Sequence, residues 1–362
     1  MPYRLAAVLV ALTACGSGGD AASDAPGSVP NDGRLPVDGG VVGDGAIVPT
    51  TSLSVIVEPN GQNGAELVAA IAAATTSVEM TMYQIDDTDV INALVGRATH
   101  GVSVRAVLDS SSNNKSWNMP AYTKLVNAGA KVTWSSTAFT YTHEKTVIID
   151  DHVAWIMTMN QNNSSPGSNR EYLAIDTDPA DVAEAKAVFE ADFALTSITP
   201  SGNLVVANAN ARPAIVALIA SATTTLDIEG EEFSDINQHG VVSAVVAAAN
   251  RGVTVRVIVA NDSNPVASQA SAIKDVKQVG GKVVVTGPTS GNGTASNPYI
   301  HAKAILVDCS GSTCARGFLG SENFSAGSLG YNRELGVIFA VPAELAKMKT
   351  AIDRDFAAGT LQ

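Results

Sequence analysis

Two short segments of this chain carry the residue types best suited to chemistry. In THEKTVIID, His143 is followed by Lys145 and then Asp150; in IHAKAILVD, His301 is followed by Lys303 and Asp308, with identical spacing. Residues two apart on an extended strand share a face, so each segment presents an imidazole beside an ammonium while Thr146, Val147, Ile148 and Ile149 run on into a core. An imidazole, with an ordinary pKa of about 6.5, can both give and take a proton near neutrality. A single His near a Lys is commonly a surface pair or a satisfied core residue. Here the pair recurs, and so do its neighbours. Asn160 in MTMNQNNS is answered by Ser321 and Asn323 in GSENFS, and Asn169-Arg170-Glu171 by Asn332-Arg333-Glu334, in the same order. A duplicated set of imidazoles, ammoniums, amides and carboxylates suits a reaction that attacks an anionic centre, neutralises its charge and protonates a leaving group.

The elements that must position these groups also repeat. The first copy predicts helices over Ala65–Thr75, Val90–His100 and Tyr122–Ala128, alternating with strands over Val78–Tyr83, Val102–Asp109 and Lys131–Trp134. The second predicts helices over Ala214–Ser221, Val241–Asn250 and Ile273–Val279, with strands over Thr225–Glu229, Val253–Ala260 and Lys282–Thr286. HGVSVRAVLD around Arg105 matches RGVTVRVIVAND around Arg256, and NAGAKVTW matches QVGGKVVV. Each unit is a helix, a glycine turn that stops it and a β-branched strand, which is the pattern of an α/β fold with helices covering a sheet. The expected organisation is a first half over residues 51–200 and a second over 201–362.

These residues resemble the phospholipase D superfamily, whose signature is a pair of HxKxxxxD motifs, each followed by a GS-x-N segment and a downstream Glu. The resemblance covers residues 53–358. It implies two duplicated αβ halves related by a pseudo-twofold axis, with both motifs meeting in one active site, so that a monomer suffices. It also implies a phosphohistidine mechanism: His143 as nucleophile, His301 as general acid and base, and Lys145 and Lys303 on the non-bridging oxygens. Asn160, Asn323, Ser321 and Thr158 would bind the phosphate, Glu171 and Glu334 would orient the histidines, and Asp150 and Asp308 would buttress strand ends. No metal or other cofactor is expected, and His100, His152 and His239 match no ligand spacing. The first GS-x-N segment departs from the pattern: it reads Met157-Thr158-Met159-Asn160, and the bulk of Met157 is expected to narrow that side of the pocket.

Residues 1–15 read as an export segment, with Arg4, an apolar run from Leu5 to Leu12, and Leu-Thr-Ala before Cys15, which resembles a bacterial lipobox with Cys15 as the lipidated residue. Residues 16–50, rich in Gly, Pro, Asp and Ser, read as a tether that cannot bury enough surface to order itself. Export makes a disulfide between Cys309 and Cys314 feasible, and a zinc site would need ligands the neighbourhood lacks. The formal net charge of -13, with no run of Lys or Arg, argues against a nucleic-acid partner.

Phospholipid at a membrane surface is therefore the expected substrate, with headgroup hydrolysis or transphosphatidylation as the reaction. Trp117 and Met119 on a predicted loop, with Trp134, Phe139 and Tyr141 ahead of His143, would line an acyl-facing entrance. A nonspecific metal-independent endonuclease and a catalytically silent surface lipoprotein are the alternatives. Glu229, Glu231 and Glu232 would oppose a polyanionic strand if they face the cleft.

Overall fold

The structure, a computed structural model, describes residues 47–262 and 265–362. The export segment, Cys15 and the tether up to residue 46 lie outside the described residues. The last tether positions belong to the fold: Thr50 is buried and bridges Phe339.

In chain order the first half runs β1 (Leu53–Glu58), α1 (Ala65–Ala73), β2 (Ser77–Met82), α2 (Thr88–Thr99), β3 (Ser103–Leu108), α3 (Ser112–Asn127), β4 (Lys131–Trp134), β5 (Lys145–Ile149), β6 (Val153–Met157), α4 (Ser165–Ser168), β7 (Asn169–Asp176) and α5 (Pro179–Phe193). The second runs β8 (Leu204–Val206), α6 (Ala211–Ala220), β9 (Thr225–Gly230), α7 (Val241–Asn250), β10 (Thr254–Ala260), α8 (Ala267–Gln278), β11 (Lys282–Thr286), β12 (Tyr299–Ile300), β13 (Lys303–Val307), β14 (Arg316–Gly320), α9 (Ala326–Tyr331), β15 (Leu335–Phe339), α10 (Pro342–Ala358) and β16 (Thr360–Leu361). Two mixed sheets result, ordered β1-β7-β6-β5-β2-β3-β4 and β16-β11-β10-β9-β13-β14-β15-β8. In both, parallel strands built by helical crossovers, β2 with β3 and β9 with β10, lie beside antiparallel ones, β5 on β2 and β13 on β9, so the α/β duplication is reproduced in the pairing.

Side-chain alternation explains the layers. In β2, Val78, Met80 and Met82 face an apolar cluster under α1, α2 and α3, while β9 sends Leu226 and Ile228 into the matching cluster under α6 and α7. The opposite faces of the two sheets meet through a third cluster, in which Tyr172, Ala174, Leu306 and Leu319 pack with Val188 and Phe189 of α5 and Met348 and Ile352 of α10. Charged residues on these inner faces are paired in the same way in each half: Arg105 with Glu79 and Glu190, Arg256 with Asp227 and Asp353.

Two expectations are corrected here. The helix expected at Tyr122–Ala128 begins ten residues earlier, so Trp117 and Met119 lie on α3 and not on a loop. The polar run Ser112-Asn113-Asn114-Lys115 masked it, and Asn114 and Asn118 use their side chains inside the helix to tie Gln84, Ile85 and Tyr83. Trp134 stacks on Tyr122 at 4.7 Å and packs under Lys115, which makes it part of the α3–β4 surface and not an entrance.

Candidate active site

Each His-x-Lys segment enters the site just ahead of a central strand. His143 precedes β5 and His301 precedes β13; the following Lys145 and Lys303 are fully buried, and each ammonium donates to the carbonyl of its own histidine at 2.8 Å. Desolvating an ammonium is costly, so its donors must be satisfied by groups like these.

The backbone then carries each histidine across to the other half. The His143 N–H donates to the Arg333 carbonyl at 2.8 Å, and Thr142 bridges Arg333; reciprocally, the His301 N–H donates to the Arg170 carbonyl at 3.3 Å, and β12 pairs with β7 through Ile300 and Arg170. Arg170 and Arg333 immediately precede Glu171 and Glu334. This exchange brings His143 Nδ1 to 2.6 Å from Glu334 Oε2 and His301 Nδ1 to 2.7 Å from Glu171 Oε1. Both histidines are thus oriented by the glutamate of the opposite half.

The glutamates are fixed in turn. Glu334 Oε1 accepts from Ser328 Oγ at 2.7 Å and from Asn332 Nδ2 at 2.9 Å; Glu171 accepts from Asn169 Nδ2 at 3.2 Å and from Thr158 Oγ1 at 2.5 Å. Burial alone would push the Glu334 carboxyl up, but the adjacent His143 and Lys145 charges hold it below its ordinary value, so it stays ionised. A carboxylate on Nδ1 fixes the tautomer and directs chemistry to Nε2.

Thr158 and Ser321, expected on the phosphate, are turned elsewhere. Thr158 Oγ1 also accepts the Tyr172 N–H, and Ser321 Oγ accepts the Leu335 N–H at 3.1 Å, so both lock the glutamate-bearing strands. Met157 does not narrow the pocket: it is fully buried in the core under α1–α3, with its sulfur 3.6 Å from Gln161 Nε2. Its counterpart Gly320 is required by close approach, because a Cβ there would run into the Glu322 carboxylate and meet Gly336 Cα at 2.5 Å. Asn160 and Asn323 are buried beside the site, and Asn323 Nδ2 lies 3.4 Å from Glu231 Oε2.

Asp150 and Asp308 stand at the far ends of β5 and β13, about 16 Å of strand beyond Lys145 and Lys303. Both adopt positive φ, 53° and 54°, and their carboxylates collect the N–H groups of Thr75, Thr76 and Ser77 and of Thr223, Thr224 and Thr225. They pin each central strand to the turn before its neighbour. Cys309 and Cys314 are joined by a disulfide closing the turn that follows Asp308. His100, His152 and His239 are exposed, and among the described residues no cluster of potential metal ligands occurs.

Sequence reasoning missed three contributors. The Tyr83 ring lies 4.6 Å from the His143 ring and 5.0 Å under the Lys145 ammonium, and Tyr141 packs edge-on to it at 5.8 Å. Tyr299 donates to Glu231 at 2.8 Å, and Ser328 holds Glu334. Of the three glutamates at the end of β9, Glu231 is the one that reaches the site. Glu229 accepts from Tyr172 on the inner sheet face, and Glu232 accepts from Ser234.

A family model described as cardiolipin synthase, PLD-like domain, matches residues 67–193 and 215–356, taking in both halves. No protein of curated function matches the sequence. Among solved structures, polyphosphate kinase from Porphyromonas gingivalis superposes with a TM-score of 0.65 at 16% identity, covering 85% of this chain and 48% of that one, so the chain spans about half its length. Phosphatidylserine synthase from Haemophilus influenzae gives 0.60 at 12% identity, covering 87% and 88%. Nuc from Salmonella typhimurium, a phospholipase D family member, gives 0.37 at 24%, covering 41% of this chain and 99% of that one. At these identities the likeness is one of fold.

Proposed function

The chain belongs to the phospholipase D-like family, whose members act on phosphodiesters, and from that premise we propose that it cleaves phospholipid headgroup esters through a phosphohistidine. The observation that carries this reading is the pair of crossed His–Glu contacts, at 2.6 and 2.7 Å, with a buried lysine beside each. His143 Nε2 attacks phosphorus, forming a P–N bond as the bond to the leaving alkoxide breaks, and His301 gives that oxygen its proton. Water then loses a proton to His301 and attacks phosphorus, and the P–N bond breaks. A primary alcohol in place of water gives headgroup exchange. Lys145 and Lys303 bind the non-bridging oxygens, with Asn160 and Asn323 at their side.

Two features support lipid over nucleic acid: a net charge of -13, and the Glu231 carboxylate within the site. Export and anchoring through Cys15 would place the enzyme at a membrane surface, and one chain carries both motifs, so a monomer serves. Incubation with phosphatidylcholine vesicles, with and without a primary alcohol, and separately with plasmid DNA tests the reading. Headgroup release that persists with a chelator and is lost in His143→Ala is the expected result; nicked DNA with intact lipid refutes it.

A further inference from the structure

Both halves place one residue directly after the strand that pairs with the catalytic lysine. Met82 pairs with Lys145 and Gly230 with Lys303, so the equivalent next residues are Tyr83 and Glu231. In the first half the lysine meets an aromatic face. In the second it meets a carboxylate: Glu231 Oε2 lies 3.0 Å from Lys303 Nζ, 3.7 Å from His301 Nε2 and 3.4 Å from Asn323 Nδ2. Tyr299 clamps Oε1 at 2.8 Å, the Glu231 N–H donates to the Ala302 carbonyl at 2.9 Å, and the residue is 4% exposed. Lysine, imidazole and amide are the donors a phosphoryl oxygen would use on that side.

We propose that Glu231 is a specificity-determining residue, a fixed negative charge in the second-half phosphate corner that admits monoanionic phosphodiesters and rejects dianionic phosphates. The inference rests on the phosphoryl-transfer reading above. In the proposed first step His301 holds the proton it will give away, so it and the two lysines bring three positive charges against the carboxylates of Glu171, Glu334 and Glu231, and this last carboxylate cancels the one that would otherwise be left for ligand. A diester brings one negative charge and is held mainly by the Lys145 side, next to the attacking His143. A phosphomonoester brings two, and the second is repelled at close range in a site where solvent screens poorly. The monoester is the lipid product of headgroup hydrolysis, so the same charge speeds its departure. Nucleic acid, with many adjoining phosphates, is disfavoured for the same reason.

The test compares binding of inorganic phosphate at pH 8, mostly dianionic, with binding of dimethyl phosphate, a monoanion, by titration calorimetry on the full chain and on Glu231→Gln and Tyr299→Phe. Glu231→Gln should tighten phosphate about tenfold or more and dimethyl phosphate about threefold or less. Tyr299→Phe, which frees the carboxylate to swing away without deleting it, should move both in the same direction by less. Equal shifts for the two probes, or no tightening of phosphate in either variant, overturns the proposal. Neither readout needs turnover, so a chain that leaves lipid intact yet shows this discrimination refutes the proposed activity and not the charge filter.

Discussion

Replacing Glu334 by Gln preserves shape and removes one charge, which makes it the sharpest probe of the crossed site. Glu334 Oε1 already accepts from Ser328 and Asn332, so in Glu334→Gln the amide oxygen would stay on that side and the NH2 would face His143. That NH2 can only donate, which forces the imidazole to carry its proton on Nε2, the atom proposed to attack. The loss is a charge-assisted hydrogen bond of 2.6 Å in a fully buried setting, about 2–3 kcal/mol, plus the wrong tautomer. Together these should lower the first-step rate about 10²–10⁴-fold. Glu171→Gln disturbs His301 instead, whose proton is not needed when the leaving group is p-nitrophenolate. Stopped-flow cleavage of bis(p-nitrophenyl) phosphate should therefore show no burst in Glu334→Gln, and a burst followed by slow turnover in Glu171→Gln. The opposite pattern reverses the roles of the two histidines. Retention of wild-type rates within about fivefold in both variants would refute the argument that the crossed glutamates set the tautomers.

Two predictions concern stability. Burial pushes the Glu144 and Glu229 carboxyls up to about 8, so the folded chain holds protons that the unfolded chain, at ordinary values near 4.5, has released. Stability should fall as pH rises from about 4.5 to 8, by at most about 1.4 kcal/mol per pH unit per group; Glu144→Gln should flatten the slope, and a urea midpoint that is flat or rising between pH 5.5 and 8 would contradict this. Asp308 behaves oppositely: burial opposes ionisation, but the Thr223 and Thr224 donors hold it down at about 2, so its contribution is present above about 4 and lost as pH falls through 2. Asp308→Ala and Asp150→Ala should each cost about 1–3 kcal/mol in thermal or urea unfolding, with activity per folded molecule unchanged; equal loss of activity would place these residues in the chemistry.

Much of this was legible because local pattern and local structure agree. Lys131–Trp134, Val241–Asn250 and Lys282–Thr286 form the elements that periodicity predicts, with the same bounds. The two helices between the sheets, α5 and α10, have no counterpart among the predicted elements, although α5 opens with an Asp178 cap and Pro179. Both lie outside the repeated motifs, and α5 is apolar on more than one side because it is covered by two layers. The expectation for Met157 fails because a motif says which residues occur together and not which strand face each occupies. At the end of β6, Thr158 points to Glu171 and Met157 to the core. The crossed contacts could not be read, since nothing local tells Glu171 from Glu334 as the partner of His143.

The crossing has a consequence for how the halves depend on each other. Thr142 bridges Arg333, and Ile300 pairs with Arg170, before either histidine meets its glutamate. Each half therefore supplies one histidine and the carboxylate for the other, and neither holds an oriented imidazole alone. The duplicated frame sets this symmetry through backbone pairing, which any side chain tolerates. The positions after β2 and β9 are then free to differ, and they do: Tyr83 covers Lys145 with a neutral ring, while Glu231 answers Lys303 with a charge. The frame makes the two histidines alike in orientation, and the residues beside the lysines make the two sides unlike in charge. A phosphate turned away from the Glu231 carboxylate would lie beside His143, which is the physical ground for the proposal that this histidine attacks and His301 handles the protons.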